Sequence, residues 1–188
     1  QFGQSTNFAE SAKMSLQADK ITEQQIRGSE GALQQRVFEV LRQYTSPALG
    51  FTSRNRRPPK DPVNAVLSLS YVMAYHLAIR HAISAGLDSR LGFYHRLSHG
   101  RHSLACDLIE PLRPQIESWV IFLFYEGILH PKDFSRNSEA RLLGKPGRLR
   151  YYEALDYQVP LWNKQLKAIH LWLVKYIDLS LLTNEDFN

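Results

Sequence analysis

Apolar residues in this chain recur mostly at helical spacing. Between Ile21 and Tyr44, the positions Ile26, Leu33, Val37, Val40, Leu41 and Tyr44 form one stripe, and Thr22 with Gln25 three places on has the form of a capping box. Gly28 and Gly31 interrupt that stripe. Each costs about 1 kcal/mol against alanine inside a helix, which makes sense where another backbone or a phosphate comes close. Residues 46–62 carry four prolines and read as a loop. Asp61 followed by Pro62 starts a helix that runs from Val63 to about Ala85, with Gly86 at its end. Val66, Leu69, Tyr71, Val72, Met73, Leu77, Ala78 and Ile83 make it apolar most of the way round, so it is expected to be the buried central helix. A helix from Ser103 is expected to continue through Pro111 and Pro114 towards Phe124, bent at the prolines. His130-Pro131 restarts a short helix, residues 144–147 form a turn or cationic loop, and Arg148–Val159 and Trp162–Leu182 are the closing helices. Before Ile21, Phe8, Ala12 and Leu16 give a weakly amphipathic helix. No alternating pattern lasts beyond a few residues. The expected fold is therefore all-α: one helical domain over 1–188, with 1–25 an edge helix or linker and 26–182 the core.

Composition changes this picture in three ways. The single cysteine, Cys106, excludes an internal disulfide framework and a cysteine-rich zinc module. It reads as a small apolar residue rather than a nucleophile. The net charge of +5 permits nucleic-acid binding without requiring it, and the basic residues cluster in RNRRPPK at 54–60 and RLLGKPGRLR at 141–150. Arg54, Arg56, Arg57 and Lys60 suit phosphate oxygens, or simply form a flexible cationic loop. The lone cysteine fits a reducing cytosol, and no apolar run is read as reaching the roughly 18 residues of a membrane span. Gln1 in place of Met suggests a domain within a longer polypeptide.

Candidate chemistry concentrates between Gly86 and Pro114, which holds His95, His99, Arg101, His102, Asp107, Glu110 and Arg113. Asp107, Glu110 and Arg113 fall three apart and share a helix face. An imidazole from the loop and two carboxylates from the helix can converge on a divalent cation. The same residues have plainer readings. A lone loop histidine is usually polar surface, and acids early in a helix complement its dipole. His99 and His102 fit a loop or a DNA-facing surface. Glu30, between Gly28 and Gly31, pairs with Arg27 or Arg36, or sits where a backbone is closely approached.

The order of three motifs carries more weight than any single residue. RGSEGALQQRVFEVL at 27–41 is followed by RRPPKDPVNAVLSLSYVMAYHLAIRHAISAGLDSRLGFYH at 56–95, and then by SLACDLIEPLRP at 103–114. The set resembles the C-terminal helical catalytic domain of the CRISPR-associated integrase, the first of the two spacer-acquisition proteins. The likeness covers most of the chain to about residue 125 and is weaker around KPGRLRYYEAL at 145–155. It implies an endonuclease and integrase that inserts short DNA spacers into a repeat array by 3′-hydroxyl attack. It also implies one Mn²⁺ or Mg²⁺ on Glu30, His95 and Glu110, a functional Asp107, and Arg113 near the reacting phosphate. Arg27, Arg54, Arg56, Arg57, Lys60, His99 and Arg101 are the expected DNA contacts. Expected partners are double-stranded DNA (spacer precursor and repeat array), the second acquisition protein, a second copy in a homodimer, and a fused or associated reverse transcriptase. Members usually carry an N-terminal β domain, whereas only a short polar segment precedes Glu30 here: either that domain was removed or this is a compact or fused variant. A casposon-type transposase, or a DNA-binding assembly module without catalysis, shares these motifs.

Overall fold

The computed structural model describes residues 22–136 and 140–185, so the helix read around Phe8, Ala12 and Leu16 lies outside the described residues. The chain divides into two compact units, Gln1–Tyr44 with Thr52–Arg54, and Thr45–Phe51 with Asn55–Asn188.

In the first unit, helix α1 spans Glu23–Gln43. The capping box expected at its start is present: the Thr22 hydroxyl accepts the Gln25 N–H at 3.3 Å, and Gln25 Oε1 accepts the Thr22 N–H at 2.9 Å. The helix runs unbroken through both glycines. A Cβ on Gly28 or Gly31 meets nothing of this unit within 4 Å, so no backbone of the unit accounts for them.

The second unit is built around α2 (Pro62–Ser84), which packs against α3 (Ser103–Ile109), α4 (Arg113–Tyr125) and α5 (Lys145–Glu185). Asp61 caps α2 by accepting the Asn64 N–H at 2.8 Å, and Pro62 occupies the first turn, where its missing N–H costs nothing. Val63, Val66, Leu67, Ala74, Leu77, Ala78 and Ala82 are buried, as expected of a central helix. By length and composition this helix does reach the threshold for a membrane span, contrary to expectation, but half of its most apolar stretch is buried inside the protein. Its apolarity is that of a core helix. Beyond it, the core is aromatic. Trp119 on α4 stands edge-on to Trp162 on α5, with centroids 5.3 Å apart, and lies 5.5 Å from Tyr151. The Tyr151 hydroxyl is satisfied by Ser70 of α2 at 3.1 Å.

Three expectations are corrected by packing. The helix from Ser103 does not continue through its prolines. Pro111 has no N–H to bond the Asp107 carbonyl, so α3 closes into a 3-10 turn at Glu110–Leu112, whose end bonds the Arg113 N–H to the Glu110 carbonyl, and α4 begins there. The two closing helices are one: α5 passes through Pro160, because Tyr151, Leu155, Trp162 and Leu166 on either side are all anchored in the core. Finally, His130-Pro131 opens only a 3-10 turn, Pro131–Asp133, and leads into a short hairpin of β1 (Phe134–Arg136) and β2 (Arg141–Leu143), with Phe134 opposite Leu143. Asp133 anchors this corner by accepting the His130 N–H at 2.8 Å and the Arg150 guanidinium of α5.

The C-terminal half of α2 is tied to α5 by a histidine pair. His81 Nε2 lies 3.0 Å from Asn163 Oδ1, and His81 Nδ1 lies 3.2 Å from His170 Nδ1. Burial, then the facing His81 and nearby Lys167, hold the His170 imidazole below its ordinary value. A lowered folded value means that the unfolded chain takes up this proton first. Stability is therefore expected to decline as the pH falls from about 6.5 through the lowered folded value, and to be untouched well above about pH 6.5. Urea unfolding at pH 7.5 and pH 5, with wild type and His170→Gln, checks this: the variant loses part of the acid-side decline.

Candidate functional site

The segment between α2 and α3 turns back over α3 and is held there by one buried carboxylate. Gly86 ends α2 with φ +75°, a conformation that a side chain would resist. The Leu104 N–H bonds the Ser89 carbonyl at 3.0 Å, and the Ser89 hydroxyl lies 2.6 Å from His102 Nδ1. Asp107, 3% exposed, is the anchor. Its Oδ2 accepts the N–H groups of Phe93 (2.7 Å) and Tyr94 (3.1 Å), and its Oδ1 accepts the N–H of His95 (2.9 Å). Oδ1 also faces His95 Nδ1 at 2.6 Å.

Four donors fill the acceptor capacity of one carboxylate. Because an ionised carboxylate only accepts, the His95 proton sits on Nδ1, and Nε2 is the nitrogen that remains for chemistry. Gly92 is required for this wrap. A Cβ there would stand 2.6 Å from the His95 carbonyl oxygen and 2.8 Å from Asp107 Oδ2. The convergence of His95, Asp107 and Glu110 on one ion, read from their spacing, is therefore not the geometry of this unit. Asp107 is spent on the loop, and no three His, Cys, Asp or Glu side chains among the described residues of the unit form a metal-holding group.

Glu110 opens the 3-10 turn one helical turn beyond Asp107. Its Oε2 accepts from Arg113 Nη1 at 2.8 Å; the Arg113 side chain is 13% exposed, and its guanidinium lies 5.7 Å from the centroid of the Tyr71 ring of α2. Burial alone would favour the neutral guanidine. The hydrogen bonds to Glu110 and Tyr71 outweigh it, and Arg113 stays firmly cationic. Tyr71 in turn donates to Glu117 Oε1 at 2.6 Å, and burial followed by that carboxylate pushes its phenol well above the ordinary tyrosine value. Sequence reasoning passed over Glu117. The available signal was an acid seven positions after Glu110 and four after Arg113, on the same helix face and next to the apolar residues Ile116 and Trp119.

Of the remaining candidates, Glu30 is on α1 in the first unit, as is Arg27, while Arg54 belongs to the strap Thr52–Arg54 of that unit. Arg56, Arg57 and Lys60 are exposed on a loop that is pinned rather than loose. The Asn55 N–H bonds Asn64 Oδ1 at 3.0 Å, Asn55 Oδ1 accepts the Lys60 N–H at 2.7 Å, and the Pro59 carbonyl accepts the Arg141 N–H at 2.8 Å. His99 is exposed. Arg101 instead turns inward, its guanidinium on the Arg96 carbonyl and the Ser103 hydroxyl. Cys106 is half-buried, and burial raises its thiol above the ordinary value, which does not make a nucleophile.

The unit carries a carboxylate-oriented imidazole and an arginine-held carboxylate, and comparison with known proteins identifies its family. Residues 4–157 match the family described as CRISPR associated protein Cas1. A CRISPR-associated endonuclease Cas1 of Thermodesulfovibrio yellowstonii is 36% identical over 156 residues, 82% of this chain and 48% of that protein. This chain belongs to the Cas1 family, and it spans about half the length of that curated relative. Among solved structures, a casposase bound to integration product superposes with a TM-score of 0.68 at 27% identity, over 74% of this chain and 40% of the casposase. A partial Cas6-RT-Cas1–Cas2 complex shares the fold with a TM-score of 0.85 at 23% identity, over 94% and 56%.

Gly92→Ala is expected to lower stability by about 1–3 kcal/mol, the usual cost of forcing atoms into a filled site, and to expose the amides of 93–95. Thermal melting and hydrogen exchange at those amides check it.

Proposed function

We propose that this chain is the catalytic lobe of a divalent-metal-dependent DNA endonuclease and integrase that joins short DNA spacers to a CRISPR repeat array. Membership of the Cas1 family supports the reading, as do the endonuclease name of the Thermodesulfovibrio relative and the likeness to a casposase captured with integration product. The observation that carries it is the Asp107 clamp, which gives His95 one tautomer and leaves Nε2 as the nitrogen not turned to Asp107. Carboxylates commonly orient metal-binding histidines in this way.

The donor set fits a hard cation. Glu30, His95 and Glu110 would hold it, and two carboxylates with one imidazole suit Mn²⁺ or Mg²⁺. When bound, the ion supplies Lewis-acid stabilisation of charge on the scissile phosphate. The protein's own groups do the rest. Asp107 keeps the His95 proton on Nδ1. Arg113 fixes the Glu110 carboxylate through one oxygen. Arg56, Arg57, Lys60 and His99, with Arg27 and Arg54, bind backbone phosphates. In the joining step the 3′-oxygen of the incoming strand forms a new P–O bond as the bond to the array's own 3′-oxygen breaks, and the hydroxyl proton passes to solvent or to the departing oxygen. With water as the attacking group the same site cuts.

The protein acts on double-stranded spacer precursor and repeat DNA in a prokaryotic cytoplasm, as a homodimer with the second acquisition protein and a fused or associated reverse transcriptase. The shared fold with a Cas6-RT-Cas1–Cas2 assembly supports that setting. The casposase likeness favours one second reading, a casposon-type transposase with the same chemistry. Joining of transposon ends in preference to spacer-length duplexes would identify it. DNA binding with no Mn²⁺-stimulated cutting or joining would instead identify an assembly module without catalysis.

Strand-transfer assays with Mn²⁺ are expected to show that His95→Ala and Glu110→Ala each lose more than the roughly 10–100-fold that groups supporting a metal ligand cost, with DNA binding retained. Full activity in Glu110→Ala removes it from the site. The combined Arg56→Ala, Arg57→Ala and Lys60→Ala variant is expected to bind all duplex sequences more weakly. Its dependence of log K on log salt becomes shallower by roughly 0.9 for each phosphate that the variant no longer neutralises. Filter binding at low and physiological salt measures it.

A further inference from the structure

We infer that Glu117 is a positioning residue for the metal-dependent reaction, acting through Tyr71 and Arg113 to hold the Glu110 carboxylate; the inference rests on the function proposed above. Glu117 is 2% exposed, within an apolar stretch of α4. A buried carboxylate is costly unless its hydrogen bonds compensate, and Glu117 accepts a short one, at 2.6 Å, from the Tyr71 phenol of α2.

That bond fixes a direction. Because Glu117 can only accept, the Tyr71 O–H points to it, and the phenol's lone pairs are turned to the Arg113 guanidinium, which also bonds the Tyr71 oxygen. Arg113 is then gripped on two sides, by Tyr71 oxygen and ring and by Glu110 Oε2 at 2.8 Å. Donors and acceptors alternate along the whole line from Glu117 to Glu110. Glu110, Arg113 and Glu117 follow the one-face spacing of i, i+3 and i+7 across the junction of the 3-10 turn and α4, and Tyr71 joins from α2.

The charges in this line point the same way as its geometry. The row holds two carboxylates and one guanidinium, so it carries an excess negative charge. A neutral amide in place of Glu117 would remove that excess charge. It would also let the Tyr71 hydroxyl rotate, with Arg113 and Glu110 loosened in turn.

The test uses full-length protein: wild type, Glu117→Gln, Tyr71→Phe and the double variant. Mn²⁺ affinity is measured by electron paramagnetic resonance of the free ion, alongside strand-transfer kcat, KM for DNA and melting temperature. The expected result is a roughly 10–100-fold weaker Mn²⁺ affinity in each single variant, a fall in kcat with KM for DNA unchanged, and no further loss in the double variant, as for residues acting as one unit. Tyr71→Phe keeps the ring under Arg113, so it reads the line even where Glu117→Gln folds poorly. Wild-type Mn²⁺ affinity and kcat in both single variants, or a lower melting temperature as the only change, overturns the inference and leaves the proposed function standing. A wild type that neither binds Mn²⁺ nor joins DNA overturns the proposed function, and the inference with it.

Discussion

The second unit depends on a single buried carboxylate that gathers an otherwise irregular loop. Asp107 gives up its solvation and receives three consecutive backbone N–H groups and an imidazole N–H in return. Buried charge is tolerated only with this degree of satisfaction. The exchange converts a connection that could have hung in solvent into a fixed platform, and it sets the tautomer of His95 by the same contacts that set its position. Gly92 is the steric counterpart, since the chain passes too close to Asp107 for any side chain there.

Around this anchor the scaffold is arranged by two departures from regular helix. Pro111 and Pro114 break the hydrogen-bond ladder where α3 meets α4, and the resulting 3-10 turn carries Glu110. At the other side, α5 keeps its course across Pro160 because its buried residues are held by the aromatic core. Both places lie among buried residues: Leu108, Leu112 and Ile116 at the 3-10 turn, and Tyr151, Leu155, Trp162 and Leu166 on either side of Pro160.

The charged residues sort by burial into two groups that composition could not separate. Arg56, Arg57, Lys60 and His99 face solvent and are available to phosphates. Arg101, Arg113 and Arg150 are held within the fold, on backbone carbonyls or on Glu110 and Asp133. A basic balance in the sequence thus overstates the cationic surface, since part of it is bound internally.

Much was legible before any coordinates. The Thr22 cap, the Asp61-Pro62 start of α2, its central burial and the ordered EG, histidine-loop and DLIE motifs all lie within short stretches, where spacing and capping chemistry act over a few residues. What the sequence could not decide was how distant stretches meet. That the amides of 93–95 would fill the Asp107 carboxylate, and that Tyr71 would bond Glu117, depend on α2 and the 92–95 loop being brought to α3 and α4 from elsewhere in the chain. Periodicity names the buried face of a helix, but the partner of a buried polar atom is chosen by packing between segments, and only the folded chain contains that information.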